Sequence, residues 1–162
     1  MLPEHLKGVS VAEVLEAGEP GAIVSGKLDR AELTLEIAPE RIVAACACLK
    51  QERQFVRLAD LTAVDWHPRE PRFEVVYHLH SFQGNERLRL KCLLAGGAPE
   101  IDSVTSVWRS ADWHEREVFD LFGIVFRNHP NLRRIMMPDD WDGHPLRKDY
   151  PVHGYKYSYK DE

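Results

Sequence analysis

The chain has 162 residues, of which 44% are hydrophobic and 29% charged, and this composition is typical of one ordinary globular domain. Its formal net charge of −5 does not suit a nucleic-acid-binding protein. The longest apolar run, residues 42–49, is far shorter than the roughly 18 residues that a membrane-spanning helix needs. The N-terminus also lacks the charged and apolar regions of a signal peptide. We therefore expect any membrane association to pass through a partner protein.

The three cysteines are an odd number, which argues against a disulfide framework and favours a reducing compartment. The spacing of Cys46 and Cys48 resembles a metal motif. However, both lie in a predicted helix, where residues two apart point to different sides, and Cys92 supplies the sole further thiol. We therefore interpret all three as small buried side chains.

Hydrophobic periodicity and turn residues predict two helices and five strands before residue 95, in the order α-β-β-α-β-β-β. The predicted helices cover residues 9–16 and 39 to about 53, and the predicted strands cover residues 21–27, 32–37, 55–64, 73–82 and 86–94. This order predicts an α+β fold, a two-layer sandwich in which helices cover one side of a mixed sheet of about five strands. A C-terminal helix and an extended tail follow it.

Gly96 and Gly97 begin a predicted hinge, after which residues 101–108 are expected to add a turn of helix. Residues 110–123 form the predicted C-terminal helix, because Ser110 can cap its first N–H groups and Gly123 can adopt the left-handed conformation that ends it. Residues 124–126 are expected to be extended. We divide the chain into a core domain (1–95), a hinge and C-terminal helix segment (96–126) and a tail (127–162).

The tail is rich in proline and aromatic residues, and from Asp139 onward it contains few aliphatic side chains. Such a segment cannot build a core of its own. We therefore expect it to be frayed in the isolated chain or to lie along another protein surface.

The predicted C-terminal helix mixes charged and aromatic side chains so closely that it leaves little purely polar face. Arg116 and Asp120 are four residues apart, so we expect them to pair. Glu115 and Glu117 point elsewhere and need partners from other segments or from another chain.

Four blocks carry a resemblance to a known family. They are WHEREVFDLFGI at 113–124, HPNLRRIM at 129–136, MPDDW at 137–141 and HPLRKDYP at 144–151. In this order and spacing they resemble the 30-kDa subunit of respiratory NADH:quinone oxidoreductase (complex I, also called NDH-1). The departures are small, with Asn128 where glycine is common, and Met136 and Met137 in place of the more usual aliphatic residues.

The resemblance implies a non-catalytic subunit in the peripheral arm of complex I. Members lie on the cytoplasmic side of the membrane, or the matrix side in mitochondria, against the 49-kDa-type subunit near the quinone end of the iron–sulfur chain. They bind no cofactor themselves, whereas the assembled complex uses FMN, iron–sulfur clusters, NADH and quinone. Neighbouring cluster-bearing subunits are further expected partners.

Two interpretations of the charged residues stay open. The helix charges either pair internally with the following loop or face the 49-kDa-type subunit, where a buried charge would set the register between chains. The segment around Arg147 is interpreted as an interface because prolines bound it. The residues with these structural or interface roles are Trp113, Glu115, Arg116, Glu117, Asp120, His129, Arg133, Arg134, Arg147, Lys148, Asp149 and Tyr150.

Two alternative functions remain. Membrane-bound hydrogenases and formate hydrogenlyase carry similar subunits, and the sequence alone separates these complexes poorly. A free-standing metal-dependent enzyme would use His78 and His80, which share one strand face, together with a carboxylate.

Overall fold

A computed structural model describes residues 2–155 and consists of three α-helices, seven strands and two short 3-10 turns within that range. The 3-10 turns are Glu4–Leu6 and Pro39–Arg41. The α-helices are α1 (Ser10–Gly18), α2 (Ile42–Arg53) and α3 (Ala111–Phe122). The strands are β1 (Ile23–Asp29), β2 (Glu32–Ile37), β3 (Arg57–Asp65), β4 (Phe73–Ser81), β5 (Glu86–Leu94), β6 (Glu100–Asp102) and β7 (Val125–Arg127).

The main sheet has five strands in the order β1-β2-β5-β4-β3. β2 and β5 pair in parallel at its centre, while the other neighbours pair antiparallel. The crossover arises because α2 carries the chain from β2 to the far edge, from which β3, β4 and β5 return as hairpins. The predicted α+β sandwich with a mixed five-stranded sheet is confirmed.

One face of the sheet builds the core because apolar residues alternate along its strands. Leu35, Tyr77 and Leu90 are fully buried on this face, and Leu49 of α2 belongs to the same core. Each such side chain contributes about 2 kcal/mol through burial. Trp108, just before α3, closes the core at one end, and its indole N–H donates to the Phe55 carbonyl (3.2 Å).

The segment between β5 and α3 differs from the prediction. Residues 101–108 were expected to form a helical turn, but β6 pairs in parallel with β7, with Ile101 opposite Phe126. Both of these side chains are buried, so tertiary pairing overrides the local preference. A turn at Val104 follows, where Trp108 N–H donates to the Val104 carbonyl (3.0 Å).

Tyr77 lies at the centre of the core, and its hydroxyl has no hydrogen-bond partner among residues 2–155. Burial raises the pKa of this phenol well above its ordinary value. An unpaired buried hydroxyl costs about 1–3 kcal/mol. The variant Tyr77→Phe is therefore expected to keep or to raise the free energy of unfolding, by up to about 1 kcal/mol, as measured by urea denaturation.

The matched control is Leu79→Ala on the same strand, which should cost about 2–5 kcal/mol because it opens a cavity. A loss of more than about 1 kcal/mol for Tyr77→Phe would mean that the hydroxyl does have a partner.

Candidate docking site

Helix α3 packs beside β3 and carries most of the predicted site. Gly123 ends it in the left-handed region (φ 73°), and its N–H donates to the Phe119 carbonyl (2.8 Å). The predicted cap at Ser110 is wrong, because its side chain makes no capping bond and its backbone is helical. Instead, the preceding turn satisfies the first N–H groups, with Ala111 N–H donating to the Trp108 carbonyl (3.0 Å).

Glu115 is completely buried and takes its partners from the segment before the helix. It accepts hydrogen bonds from the Ser103 hydroxyl (2.6 Å) and the Val104 N–H (2.7 Å). Burial raises its pKa from the ordinary 4.5 to about 7, although these two hydrogen bonds oppose the rise. The prediction that Glu115 needs a partner from another segment is confirmed.

His129 fixes the loop after β7 against the first turn of α3. Its buried ring accepts the Asn131 N–H at Nδ1 (3.0 Å), so the neutral ring carries its proton on Nε2. That nitrogen donates to the Asp112 carbonyl (3.2 Å) and lies 3.8 Å from a Glu115 carboxylate oxygen. The His129 side chain therefore links the loop to the first turn of α3.

The predicted pair between Arg116 and Asp120 does not form. Arg116 instead donates to the Arg133 carbonyl (3.2 Å), and its guanidinium carbon lies 5.0 Å from the centre of the Trp113 ring. The reason is that other donors occupy the Asp120 carboxylate.

Asp120 is fully buried and accepts four hydrogen bonds through its side chain. One oxygen accepts the backbone N–H groups of residues 135–137 (3.0, 2.7 and 2.9 Å), and the other accepts Arg134 Nη1 (2.6 Å). Burial alone would raise the pKa of Asp120, but these donors outweigh it and lower the pKa below its ordinary value. The helix charges that pair internally with the following loop are thus Asp120 and, through backbone atoms, Arg116.

The segment after Gly143 satisfies the last carbonyl groups of α3. His144 Nδ1 donates to the Asp120 carbonyl (2.8 Å), Leu146 N–H donates to the Leu121 carbonyl (3.0 Å), and Arg147 Nε donates to the Phe122 carbonyl (2.5 Å). Carbonyls at a helix end have no partner within the helix, so they need donors from elsewhere. A side chain at Gly123 would collide with this segment, since an added Cβ would lie 2.5 Å from His144 and Arg147 atoms.

Arg72 ties the same segment to the sheet. Its guanidinium binds the Asp65 carboxylate (2.8 Å) and the Asp149 carboxylate (2.7 Å). Asp65 also accepts the Lys148 N–H (2.8 Å), and the Arg72 hydrogen bonds hold its pKa well below the usual range. Residues 144–149 are therefore not frayed, because they are bound to their own chain. The expectation that the tail also lies along another protein surface stays a prediction. Residues 156–162 lie outside the described part.

The twelve predicted site residues therefore divide into two groups. Within the described chain, the inward group uses its side chains for contacts inside the molecule; it consists of Glu115, Arg116, Asp120, His129, Arg134, Arg147 and Asp149. The outward group has exposed or half-buried side chains and makes only peripheral contacts within the molecule, such as the hydrogen bond from Tyr150 Oη to the Asp142 carbonyl (3.3 Å). It consists of Trp113, Glu117, Arg133, Lys148 and Tyr150. The interface role of either group stays a prediction.

Sequence reasoning missed Asp65, Arg72, Ser103 and His144. A signal for Asp65 was available, because it continues the buried alternation of Leu61 and Ala63 along β3. A charge in an apolar alternation indicates a buried partner. The other three carry no comparable local signal.

No group of three or more His, Cys, Asp or Glu side chains among residues 2–155 could hold a metal ion. His78 and His80 are partly exposed on β4, so the alternative of a metal-dependent enzyme gains no support from their placement. In the same part of the chain, no helix has the length and apolar character needed to cross a membrane.

Comparisons with known proteins give consistent matches. The family described as "Respiratory-chain NADH dehydrogenase, 30 Kd subunit" matches residues 35–156. A relative from Geotalea uraniireducens (strain Rf4), named as the C subunit of NADH-quinone oxidoreductase, is 51% identical over 133 residues, covering 82% of this chain and 81% of the relative.

Two solved structures share the fold. A chain described as Nqo5 of a trypsin-resistant fragment has a TM-score of 0.64 at 34% identity and covers 74% of this chain and 97% of that chain. A chain from the membrane-bound sulfane sulfur reductase, an archaeal respiratory membrane complex, has a TM-score of 0.77 at 26% identity, covering 90% and 86%.

The sandwich fold and these matches define a subunit of a respiratory oxidoreductase complex. More particularly, the chain belongs to the family of the 30-kDa subunit of respiratory-chain NADH dehydrogenase. The resemblance carried by the four sequence blocks is confirmed, and other complex I subunits are the partners of this family.

The four hydrogen bonds to the Asp120 carboxylate predict that a single substitution there strongly lowers the stability of the fold. Asp120→Asn removes the charge that balances Arg134, whose side chain is only 15% exposed, and should lower the free energy of unfolding by about 3 kcal/mol. The measurement is chemical denaturation of the purified chain.

Glu117→Gln on the same helix is the matched control, because Glu117 makes no hydrogen bond or ion pair within residues 2–155. It should change the free energy of unfolding by no more than about 0.5 kcal/mol. Equal effects of the two variants would show that the Asp120 contacts contribute little.

Glu115 predicts a dependence of stability on pH. The folded chain keeps the Glu115 proton up to about pH 7, whereas the unfolded chain releases it near the ordinary pKa of 4.5. The contribution of protonated Glu115 to the free energy of unfolding is therefore fully present below about pH 4.5. It is lost, by up to about 3 kcal/mol, as the pH rises through 7.

Glu115→Gln should remove this loss. The measured quantity is the difference in unfolding free energy between wild type and variant at pH 5, 6, 7 and 8. The lowered pKa of His144, which is due mainly to burial, acts with the opposite sign but is shared by both proteins. A difference that stays constant with pH would refute the assignment.

Proposed function

We propose that this chain is a non-catalytic subunit of the peripheral arm of proton-translocating NADH:quinone oxidoreductase, docked on the 49-kDa-type subunit near the quinone site. The observation that carries the proposal is that a large aromatic side chain of α3, that of Trp113, is exposed on the surface. Trp113 is 64% exposed, although the inward group satisfies the charges around it.

The contact face comprises Trp113, Glu117 and Met136. Trp113 and Glu117 are one helical turn apart and share a side of α3. Met136 is 58% exposed, and its N–H is bound to Asp120, which places it along the same helix. Tryptophan and methionine are enriched at protein interfaces, and buried tryptophans carry much of the binding energy.

Glu117 adds a charge to the contact face. It is half-buried and has no hydrogen-bond or ion-pair partner within residues 2–155. A basic side chain of the 49-kDa-type subunit would pair with its carboxylate. Internal contacts hold the neighbouring backbone in place, so little freedom is lost on binding. The hydrogen bonds that hold residues 133–137 to α3 therefore support a preformed surface.

In this proposal the chain acts by holding its neighbours in position. Residues 1–95 form the core domain, residues 96–126 carry the docking helix, and residues 127–162 complete the interface. FMN, iron–sulfur clusters, NADH and quinone are bound by other subunits. The chain lies at the cytoplasmic face of the membrane, or at the matrix face if mitochondrial, and reaches the membrane through the complex.

A second candidate is the equivalent subunit of another membrane-bound respiratory complex. The similarity to a chain of the archaeal sulfane sulfur reductase complex favours it, because the same fold serves a complex with another substrate. The 51% identity to a subunit of NADH-quinone oxidoreductase favours the first proposal. Isolating the native complex through a tag on this chain, and identifying its subunits, separates the two.

The contact face predicts a defect in assembly without unfolding. Trp113→Ala and Glu117→Lys should each reduce the amount of the 49-kDa-type subunit that co-purifies with the tagged chain, by about tenfold or more. NADH:quinone activity of the membranes should fall in parallel. The free energy of unfolding should change by about 1 kcal/mol at most, because Trp113 is 64% exposed and its ring contact with the Arg116 guanidinium is a surface cation–π contact.

Leu28→Ala is the control, since Leu28 is 56% exposed on β1 at the opposite edge of the sheet from β3. It should leave both measurements unchanged. Normal co-purification and activity in both contact-face variants would refute docking through α3.

A further inference from the structure

A basic row crosses the sheet on three neighbouring strands and consists of Arg57, His80 and Arg87. The strand register places Arg57 opposite His80 on β4, and His80 opposite Arg87 on β5. Residues directly opposite on paired strands point to the same face. The buried neighbours Leu79 and Leu88 point to the core, so the basic row lies on the other face of the sheet.

Both arginines in the basic row are exposed, and neither guanidinium has a hydrogen bond or ion pair within residues 2–155. Two nearby carboxylates pair with other arginines, although Glu32 lines the same concave site as the basic row. Glu32 binds Arg89 (3.3 Å), and Glu86 binds Arg53 of α2 (2.9 Å) on the core side. Two positive charges therefore remain uncompensated in a chain whose formal net charge is −5.

The basic row lines a concave site of about 360 Å³. Ala59, which has a small side chain, also lines this site. Phe82 lies beside it, 60% exposed, with its ring centre 4.6 Å from that of His80. An exposed aromatic ring next to unpaired arginines is the composition that protein interfaces favour. Each guanidinium can bind a carboxylate through two parallel hydrogen bonds.

We propose that the basic row is a second docking site, which binds an acidic segment of another protein of the complex. This rests on the proposed function only in that the chain works inside a complex. Carboxylates of that segment pair with Arg57 and Arg87, and an apolar side chain of the segment packs on Phe82. The basic row lies on different elements from the contact face on α3, so the chain would bind two segments at once. Charge complementarity selects an acidic polypeptide, because two unpaired guanidinium groups line the concave site and an exposed aromatic ring lies beside it.

The test uses a photo-crosslinking residue in the native complex. Ala59→p-benzoylphenylalanine places the crosslinker in the groove without altering the basic row. After irradiation, the complex is isolated through a tag on this chain, and the crosslinked peptides are identified by mass spectrometry. We expect one peptide from another protein of the complex, with at least two Asp or Glu residues within a few positions of the crosslink.

Charge reversal then tests the recognition. Arg57→Glu with Arg87→Glu should reduce the crosslink at position 59 by about tenfold or more, since like charges replace the proposed pairs. Arg69→Glu with Arg109→Glu changes the net charge equally at exposed sites outside the concave site and should leave the crosslink intact. If the reversed chain does not accumulate, Arg57→Gln with Arg87→Gln replaces it, with a smaller decrease in the same direction.

The proposal is overturned if the crosslink joins position 59 to a neutral or basic peptide, to lipid, to nucleic acid or to this chain alone. It is also overturned if no crosslink forms, or if charge reversal leaves the yield unchanged. None of these outcomes depends on Trp113 or Glu117, so the result is separate from docking through α3.

Discussion

Four donors converge on the buried carboxylate of Asp120, and three of them are consecutive backbone amides at residues 135–137. A loop bound in this way cannot slide along the helix, because every amide would lose its acceptor. The carbonyl of the same residue binds His144, so Asp120 also fixes the start of the final described segment. The end of α3 is consequently assembled from three separate parts of the chain.

A second buried carboxylate completes this arrangement at the sheet. Asp65 and Asp149 share Arg72, so β3 and the segment after α3 are joined through one guanidinium. Buried charges are tolerated here because each has an opposite charge and hydrogen bonds. Many charged side chains of these blocks thus hold the chain together, whereas Trp113 stays exposed on α3.

The strands were predictable because the alternation along β2, β4 and β5 is regular and their tertiary surroundings agree with it. The pairing of the charged side chains of α3 was not predictable from the sequence. Helical spacing favoured Arg116 with Asp120, but spacing carries no information about amides at 135–137, which outcompete an exposed helix pair worth a few tenths of a kcal/mol. Strand β6 was missed for the same reason, since its partner β7 lies beyond α3 in the sequence.

The way in which α3 is closed has a consequence for synthesis. Its last carbonyls are satisfied by residues 144–147, which leave the ribosome after the helix itself. The ribosome adds roughly 5–20 residues per second, so the N-terminal part of a chain can begin to fold before the C-terminal part has been made. The sheet can therefore form early, whereas the final turn of α3 stays incomplete until the C-terminal segment has emerged. Of the three described helices, α3 is thus completed last, so a partner that binds it in the way we propose would meet the finished helix only after residues 144–147 have emerged.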